Sequence, residues 1–260
     1  MDVPAFPPEL SRLTAPTLLF GHRGAPRRAL ENTLASFDAA EAEGADGVEL
    51  DVRLTQDGEA VVFHDADLLR GDRRVALAGL TLPEALEVEV RKGEHSGRIP
   101  TLRDVFLRFG GGIRYLVEMK SCPSPRPSLL EHRVARLVES FALLEKAWIL
   151  SFSADSLRRL KEIYPAARTV LLFDGTAFRP EGRLWPDLPR GCDGIAPEAP
   201  LASERLIAEA RAANLTTHVW TVNDPGLAAR LAGWGATSVI SDDPALVVGA
   251  VRGAAKPVTG

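Results

Sequence analysis

The feature that most constrains this chain is the regular return of short apolar runs, separated by amphipathic stretches long enough for a helix. Runs at 17–21, 47–55, 115–120, 148–152, 169–173, 193–196, 218–222 and 238–241 read as eight strands. Between them, helical periodicity covers 31–42, 129–144, 155–163, 203–213, 225–234 and the stretch from 244. Start signals mark several of these: Ser203 precedes Leu206 and Ile207, and Pro225 and Pro244 each follow an aspartate. Eight strands alternating with helices predict an α/β protein, a closed TIM (β/α)8 barrel rather than an open doubly wound sheet. The 260 residues, 45% of them hydrophobic, suit one such domain spanning 1–260. The first strand is not followed by G-x-G-x-x-G, in keeping with that choice.

Charge and cysteine usage narrow the setting. A formal charge of -4 with scattered arginines argues against a nucleic-acid partner. Cys122 and Cys192 lack metal or redox spacing and read as free thiols of a reducing compartment. The N-terminal residues lack a basic start followed by an apolar run, so no secretory signal is expected. No stretch approaches the roughly 18 apolar residues of a membrane span. A cytoplasmic protein without a membrane anchor is the expectation, and the oligomeric state is not encoded in any feature of the sequence.

Two segments break the repeat. Residues 66–112 are polar and rich in Gly and Arg; they read as a short insertion before the third barrel strand, with one clear helix in "TLRDVFLRF" capped by Thr101. The other is "GVELDVRLTQDGEAVVFHD". A parallel barrel strand should be almost wholly apolar, yet here Val48, Leu50, Val52 and Leu54 alternate with Glu49, Asp51, Arg53 and Thr55. The apolar set fits the helix-facing side, which leaves the acids inside the barrel near its mouth. Asp57-Gly58 then signals a β-hairpin extension after strand 2. With those two residues as the loop, Leu54 pairs with Val61, Val52 with Phe63 and Asp51 with His64, so that Glu49, Asp51 and His64 share one face.

Two further strand ends carry charge. In "RYLVEMKS", Glu118 and Lys120 lie two apart and so on one face. In "FGHRGA", His22 and Arg23 sit between glycines at the exit of the first strand. Each alone is an ordinary surface pattern, but together they gather charge at strand exits, where this fold places its active sites.

These pieces resemble the glycerophosphodiester phosphodiesterase family. The matching stretches are "GHRGAPRRALENTLASFDAAEAEGADGVELDVRLTQDGEAVVFHD", "GRIPTLRDVF", "VEMKS", "LSFS", "VWTVND" and "VISDDP", in family order from about Leu18 to Pro244. The resemblance implies a TIM barrel that hydrolyses glycerophosphodiesters to glycerol 3-phosphate and an alcohol with one divalent cation. By motif, His22 and His64 match the acid/base pair, Glu49, Asp51 and Glu118 the metal carboxylates, and Arg23 and Lys120 the phosphate contacts. Leu30 stands where the family usually has proline. Three carboxylates without cysteine suit Ca²⁺ or Mg²⁺. Cleavage needs charge neutralisation at phosphorus and two proton transfers, with His22 expected as base and His64 as acid.

Other residues carry open alternatives. Trp220 and Phe152 are barrel core or, by resemblance, the apolar side of a glycerol pocket. Asn32 caps the helix after the first strand or reaches ligand. His95, His132 and His218 read as surface or core histidines, and Asp242 and Asp243 as caps of the last helix. The rival functions are a related barrel phosphodiesterase acting on lysophospholipids or other diesters, and a phosphoester-binding barrel without turnover. The first needs an apolar channel that the insertion does not advertise; the second would lack a catalytic group, and none is missing.

Overall fold

Strand β1 (Leu18–Gly21) starts a closed sheet that continues through β2 (Gly47–Leu54), β8 (Arg114–Met119), β9 (Ala147–Ser151), β10 (Thr169–Phe173), β11 (Gly194–Pro197), β12 (Thr216–Val219) and β13 (Ser238–Ser241) in the computed structural model, which describes residues 16–120 and 129–254. All of these pair in parallel, and β1 bonds to both β13 and β2, which closes the barrel. Every predicted barrel strand is present, with ends shifted by at most a few residues. The expectations for the N-terminal segment and for Cys122 lie outside the described residues. No helix among the described residues is long and apolar enough to cross a membrane.

Helices α1 (Leu34–Ala42), α4 (Leu129–Ser140), α5 (Ala154–Ile163), α6 (Glu204–Ala212), α7 (Pro225–Trp234) and α8 (Pro244–Gly253) pack outside the sheet. Thr33, Ser153, Ser203, Asp224 and Asp243 each accept a hydrogen bond from the backbone N–H three residues on, so the turn from strand to helix is short and fixed. Between β10 and β11, residues 174–193 form no regular helix, and Leu184, Trp185 and Leu188 supply the apolar cover there.

The core has separate layers. Val48, Leu50, Val52 and Leu54 face the helices, as the alternation of β2 predicts, in a layer with Phe37, Phe106 and Tyr115. The barrel interior is filled by Phe20, Leu116, Trp148, Leu150, Leu172 and Ile240. Hydrophobic burial on both faces drives closure, at about 25 cal/mol per Å² of apolar surface removed from water.

The insertion holds more structure than the single helix expected. Besides α3 (Leu102–Phe109) it contains hairpin β4–β5 (Asp67–Arg70, Arg73–Ala76), α2 (Leu82–Glu87) and hairpin β6–β7 (Glu89–Lys92, His95–Arg98). Leu68, Leu77, Leu80, Ala85, Val88 and Ile99 give it a small core of its own, seated on Val61 of the barrel's extension.

That extension, β3 (Ala60–Val62), pairs antiparallel with β2, but one residue away from the predicted register. Leu54 lies opposite Ala60 and Val52 opposite Val62. The loop is three residues, Gln56-Asp57-Gly58, because Gly58 takes φ 81° and Thr55 N–H already bonds to Glu59 O at 3.0 Å. Asp57 is held there by Thr55 Oγ1 at 2.6 Å and by the N–H of Leu82 in the insertion at 3.0 Å. Asp51 therefore faces Phe63, whose N–H donates to Asp51 O at 2.9 Å, and not His64.

Candidate active site

Parallel register explains how the charged groups meet. Phe20 pairs with Gly47, so His22, two residues on, comes level with Glu49. Asp51 lies directly beside Glu118 on β8. Glu49, Asp51 and Glu118 each offer an oxygen within 4.8 Å of the others, and all three are buried. They point into the barrel at the C-terminal ends of the strands.

Two fixed cations face these three acids. Lys120 Nζ lies 2.9 Å from Asp51 Oδ1 and 2.7 Å from Glu118 Oε1. Arg23 Nε lies 3.2 Å from Asp51 Oδ2, and its backbone N–H donates to Glu49 Oε2 at 3.1 Å. That approach uses a left-handed backbone at Arg23, φ 55°. Burial opposes ionisation of Asp51, but Lys120, Arg23, His64 and the Asn32 amide outweigh it and hold the carboxyl below its ordinary range. Glu118 goes the other way, pushed up to about 7 by burial and the charge of Asp51. Glu49 is also raised well above the ordinary range by burial, Asp51 and Glu118.

The donor set fits a hard cation. Three buried carboxylates exceed the two cations beside them, their mutual repulsion favours protonation, and Asp51 Oδ1 makes no hydrogen bond of proper geometry. Glu49, Asp51 and Glu118 are the residues that would hold such an ion.

Asn32 is buried and committed to Asp51: its Nδ2 donates to Asp51 Oδ2 at 2.7 Å, and its Oδ1 accepts from Asp51 N at 3.2 Å. Of the two readings of Asn32, the helix cap falls away, because Thr33 makes it.

The histidines are held by different means. His22 Nδ1 lies 2.6 Å from Asp242 Oδ1, and its Nε2 is 3.9 Å from Glu49 Oε2. Asp242 also accepts from Asn223 Nδ2 at 2.8 Å; burial works against its ionisation, but the hydrogen bonds from His22 and Asn223 prevail and keep it below the ordinary range. An ionised Asp242 accepts from Nδ1–H and leaves Nε2 facing the site. Asp242 was expected only as a helix cap; Asp243 alone does that, and the register of Gly21 with Ser241 sets Asp242 beside His22. His64 reaches the site by leaving the ladder after Val62, its carbonyl held by Arg53 Nε at 2.8 Å. Burial lowers its pKa, with the charge of Asp51 opposing and Lys120 and Arg23 reinforcing the shift. Its Nδ1 meets Asp65 at 2.7 Å.

Phe152 and Trp220 form a separate pair at the mouth, edge to face at 5.6 Å, with Trp220 Nε1 donating to Ala196 O at 2.9 Å. Phe152 is 45% exposed, so it is not barrel core. His218, by contrast, is wholly buried. The insertion frames an open cleft of about 670 Å³ whose lining includes Phe63, Leu68, Leu69, Val88 and Val90. Asp65, Asp67, Arg70, Arg74, Glu87, Glu89 and Arg91 line the same cleft, so it is a mixed and largely charged groove and not an apolar channel.

The chain has relatives among known proteins. A glycerophosphodiester phosphodiesterase of Bacillus subtilis is 31% identical over 251 residues, covering 88% of this chain and 84% of the relative. A structure from Silicibacter pomeroyi DSS-3 shares the fold with a TM-score of 0.82 at 23% identity, covering 95% of this chain and 98% of its own. An Oleispira antarctica phosphodiesterase, solved in complex with the product sn-glycerol-3-phosphate, is 25% identical with a TM-score of 0.72, covering 91% of this chain and 97% of that one. Residues 22–246 match the glycerophosphoryl diester phosphodiesterase family model, and the chain belongs to that family.

Proposed function

We propose that this phosphodiesterase hydrolyses glycerophosphodiesters to glycerol 3-phosphate and an alcohol, with one divalent cation, Ca²⁺ or Mg²⁺, at Glu49, Asp51 and Glu118. The observation that carries the reading is the buried three-carboxylate cluster with Arg23, Lys120 and His22 around it at the barrel mouth. When bound, the cation supplies Lewis-acid neutralisation of phosphoryl charge. Arg23 and Lys120 add fixed positive charge for the phosphoryl oxygens, and the guanidinium fork suits two of them at once. Asn32 fixes the Asp51 carboxylate, and Asp242 fixes the tautomer of His22. His22 takes the proton of the attacking hydroxyl and His64 gives one to the departing alkoxide. Phe152 and Trp220 offer the apolar wall for the glycerol carbons.

The test is release of glycerol 3-phosphate from glycerophosphocholine with Mg²⁺, with Ca²⁺ and with EDTA. Activity that survives complete chelation refutes the cation. His64→Ala is expected to abolish glycerophosphocholine cleavage while sparing much of the activity on a nitrophenyl diester, whose leaving group needs no acid; His22→Ala damages both. The opposite pattern reverses the roles.

A second reading rests on the 670 Å³ cleft, where Phe63, Leu68, Leu69, Val88 and Val90 give an acyl chain partial apolar cover among seven charged residues. Lysophosphatidylcholine cleavage that falls in Leu69→Asp would favour it.

A further inference from the structure

Two clefts meet beneath hairpin β6–β7 and share Leu30, Glu31 and Lys92. One, about 330 Å³, runs to His22, Arg23 and Asp242 and is walled by Arg27, Lys92 and His95. The other, about 240 Å³, runs to Phe63 and Asp65, the neighbours of His64. The joined clefts thus run from His22 at the exit of β1 to the segment that carries His64.

The charge of this wall is uneven. Glu31 is shared by Arg23 Nη1 at 3.1 Å and Lys92 Nζ at 2.6 Å, so one carboxylate serves two cations. Asp242 is occupied by His22 and Asn223. Of the adjacent arginines, Arg28 is committed to Glu43 at 2.5 Å, whereas Arg27 turns into the cleft and has no ionic partner among the described residues. His95, at the turn of the hairpin, adds a further nitrogen to the same wall. No phenyl or indole ring lines the 330 Å³ cleft, so it lacks the aromatic cage that recognises a quaternary ammonium.

We propose that Arg27, Lys92 and His95 form a subsite for an oxyanion carried on the alcohol of the diester, so that the preferred substrates bear a phosphate monoester or a carboxylate on that side. The inference rests on the phosphodiesterase reading and adds the substrate class. Lys92 and Arg27 come from different segments, the insertion hairpin and the loop after β1, and converge from two sides. Phe152 and Trp220 are left for the glycerol.

Matched substrates test it with the full-length protein and saturating Mg²⁺ or Ca²⁺. One pair is glycerophosphoinositol with and without a 4-phosphate; the other is glycerophosphoserine against glycerophosphoethanolamine, which differ by a carboxylate. The charged member of at least one pair is expected to show a kcat/KM about fivefold or more above its partner, the upper range for one solvent-reached ion pair. Which pair responds identifies the oxyanion. The ratio is expected to fall towards one in Arg27→Gln and Lys92→Gln, and in raised salt. Arg27→Gln breaks no hydrogen bond or ion pair among the described residues, so its effect is separable from folding. Ratios at or below one in both pairs, or a preference untouched by Arg27→Gln and Lys92→Gln, overturn the subsite while leaving the phosphodiesterase reading intact. No turnover of any of the four substrates overturns that reading and the subsite with it.

Discussion

His218 lies inside the barrel at the level where β1 and β13 begin, its Nδ1 2.8 Å from Ser238 Oγ and its Nε2 3.1 Å from Thr216 Oγ1, with Trp148 edge-on at 5.4 Å. Nearer the mouth, the same interior buries Glu49, Asp51 and Glu118 against Arg23 and Lys120. Both regions bury polar groups that water would otherwise solvate. Around His218 two hydroxyls meet both ring nitrogens, and burial keeps the imidazole neutral, its pKa lowered to about 3. At the mouth the charges do not balance, and the excess is negative. The lower layer is satisfied by its own partners; the upper one leaves an excess of carboxylate. Backbone geometry differs in the same sense, since Arg23 and Asn32 both adopt positive φ at the mouth.

The largest expected effect tests the claim that the mouth is strained for function. Glu49→Gln keeps an acceptor for the Arg23 N–H but removes a carboxylate; turnover should fall by on the order of 10² to 10³. In EDTA at pH 8 its melting temperature should match or exceed that of the parent, because repulsion with Asp51 and Glu118 is relieved. A clear drop in metal-free stability would break the contrast. His218→Ala should do the reverse, losing about 2–4 kcal/mol in denaturant unfolding through a cavity and two stranded hydroxyls, with specific activity retained.

Acid separates the layers further. Glu118 titrates at about 7 instead of 4.5, so the metal-free fold binds a proton that the unfolded chain releases. That contribution is full below about pH 4.5 and is lost as pH rises through 7. His218 has the opposite sign: its lowered pKa gives stability above about 6.5 that is lost as pH falls towards 3. A bound cation keeps the carboxylates ionised, so the difference in melting temperature between metal-loaded and EDTA-treated protein should be widest above pH 7 and shrink towards pH 4.5, as scanning calorimetry would show. A constant difference would remove Glu118 from the metal site. The smallest effect is that of Ser238→Ala, about 1 kcal/mol, which leaves one nitrogen of His218 without its partner.

The barrel was legible because burial on both faces writes long apolar runs, and β2 stood out as the candidate site by breaking that rule with Glu49 and Asp51. The hairpins of the insertion were not legible. Arg73–Ala76 and Glu89–Lys92 are mostly exposed, so no alternation marks them, and only glycines at the turns, Gly71 at φ 62° and Gly93 at φ 60°, hint at them. The one-residue error at β3 arose because Asp-Gly serves both two- and three-residue loops, and a contact from Leu82, far along the chain, selects between them. Asp242 was hidden for a different reason. Its sequence neighbours make a sound capping signal, and only closure of β13 onto β1 brings it to His22.

The stretch between β10 and β11, where the helix is missing, divides the molecule in an unexpected way. The outer core before it draws on residues from Ala25 to Leu171, and the one after it, apart from Leu19 and Phe173, on residues from Ile195 to Val251. Leu188 packs against both. The chain thus divides into five barrel strands before and three after an irregular strap that carries a nearly bare Phe178, 82% exposed. A nick near that residue would cut no helix and no strand, and it would leave the three carboxylates in the first fragment and Asp242 in the second. Reassembly of such fragments would be readable as the return of His22 to its carboxylate, which makes this strap a natural place to split the enzyme into a complementation reporter.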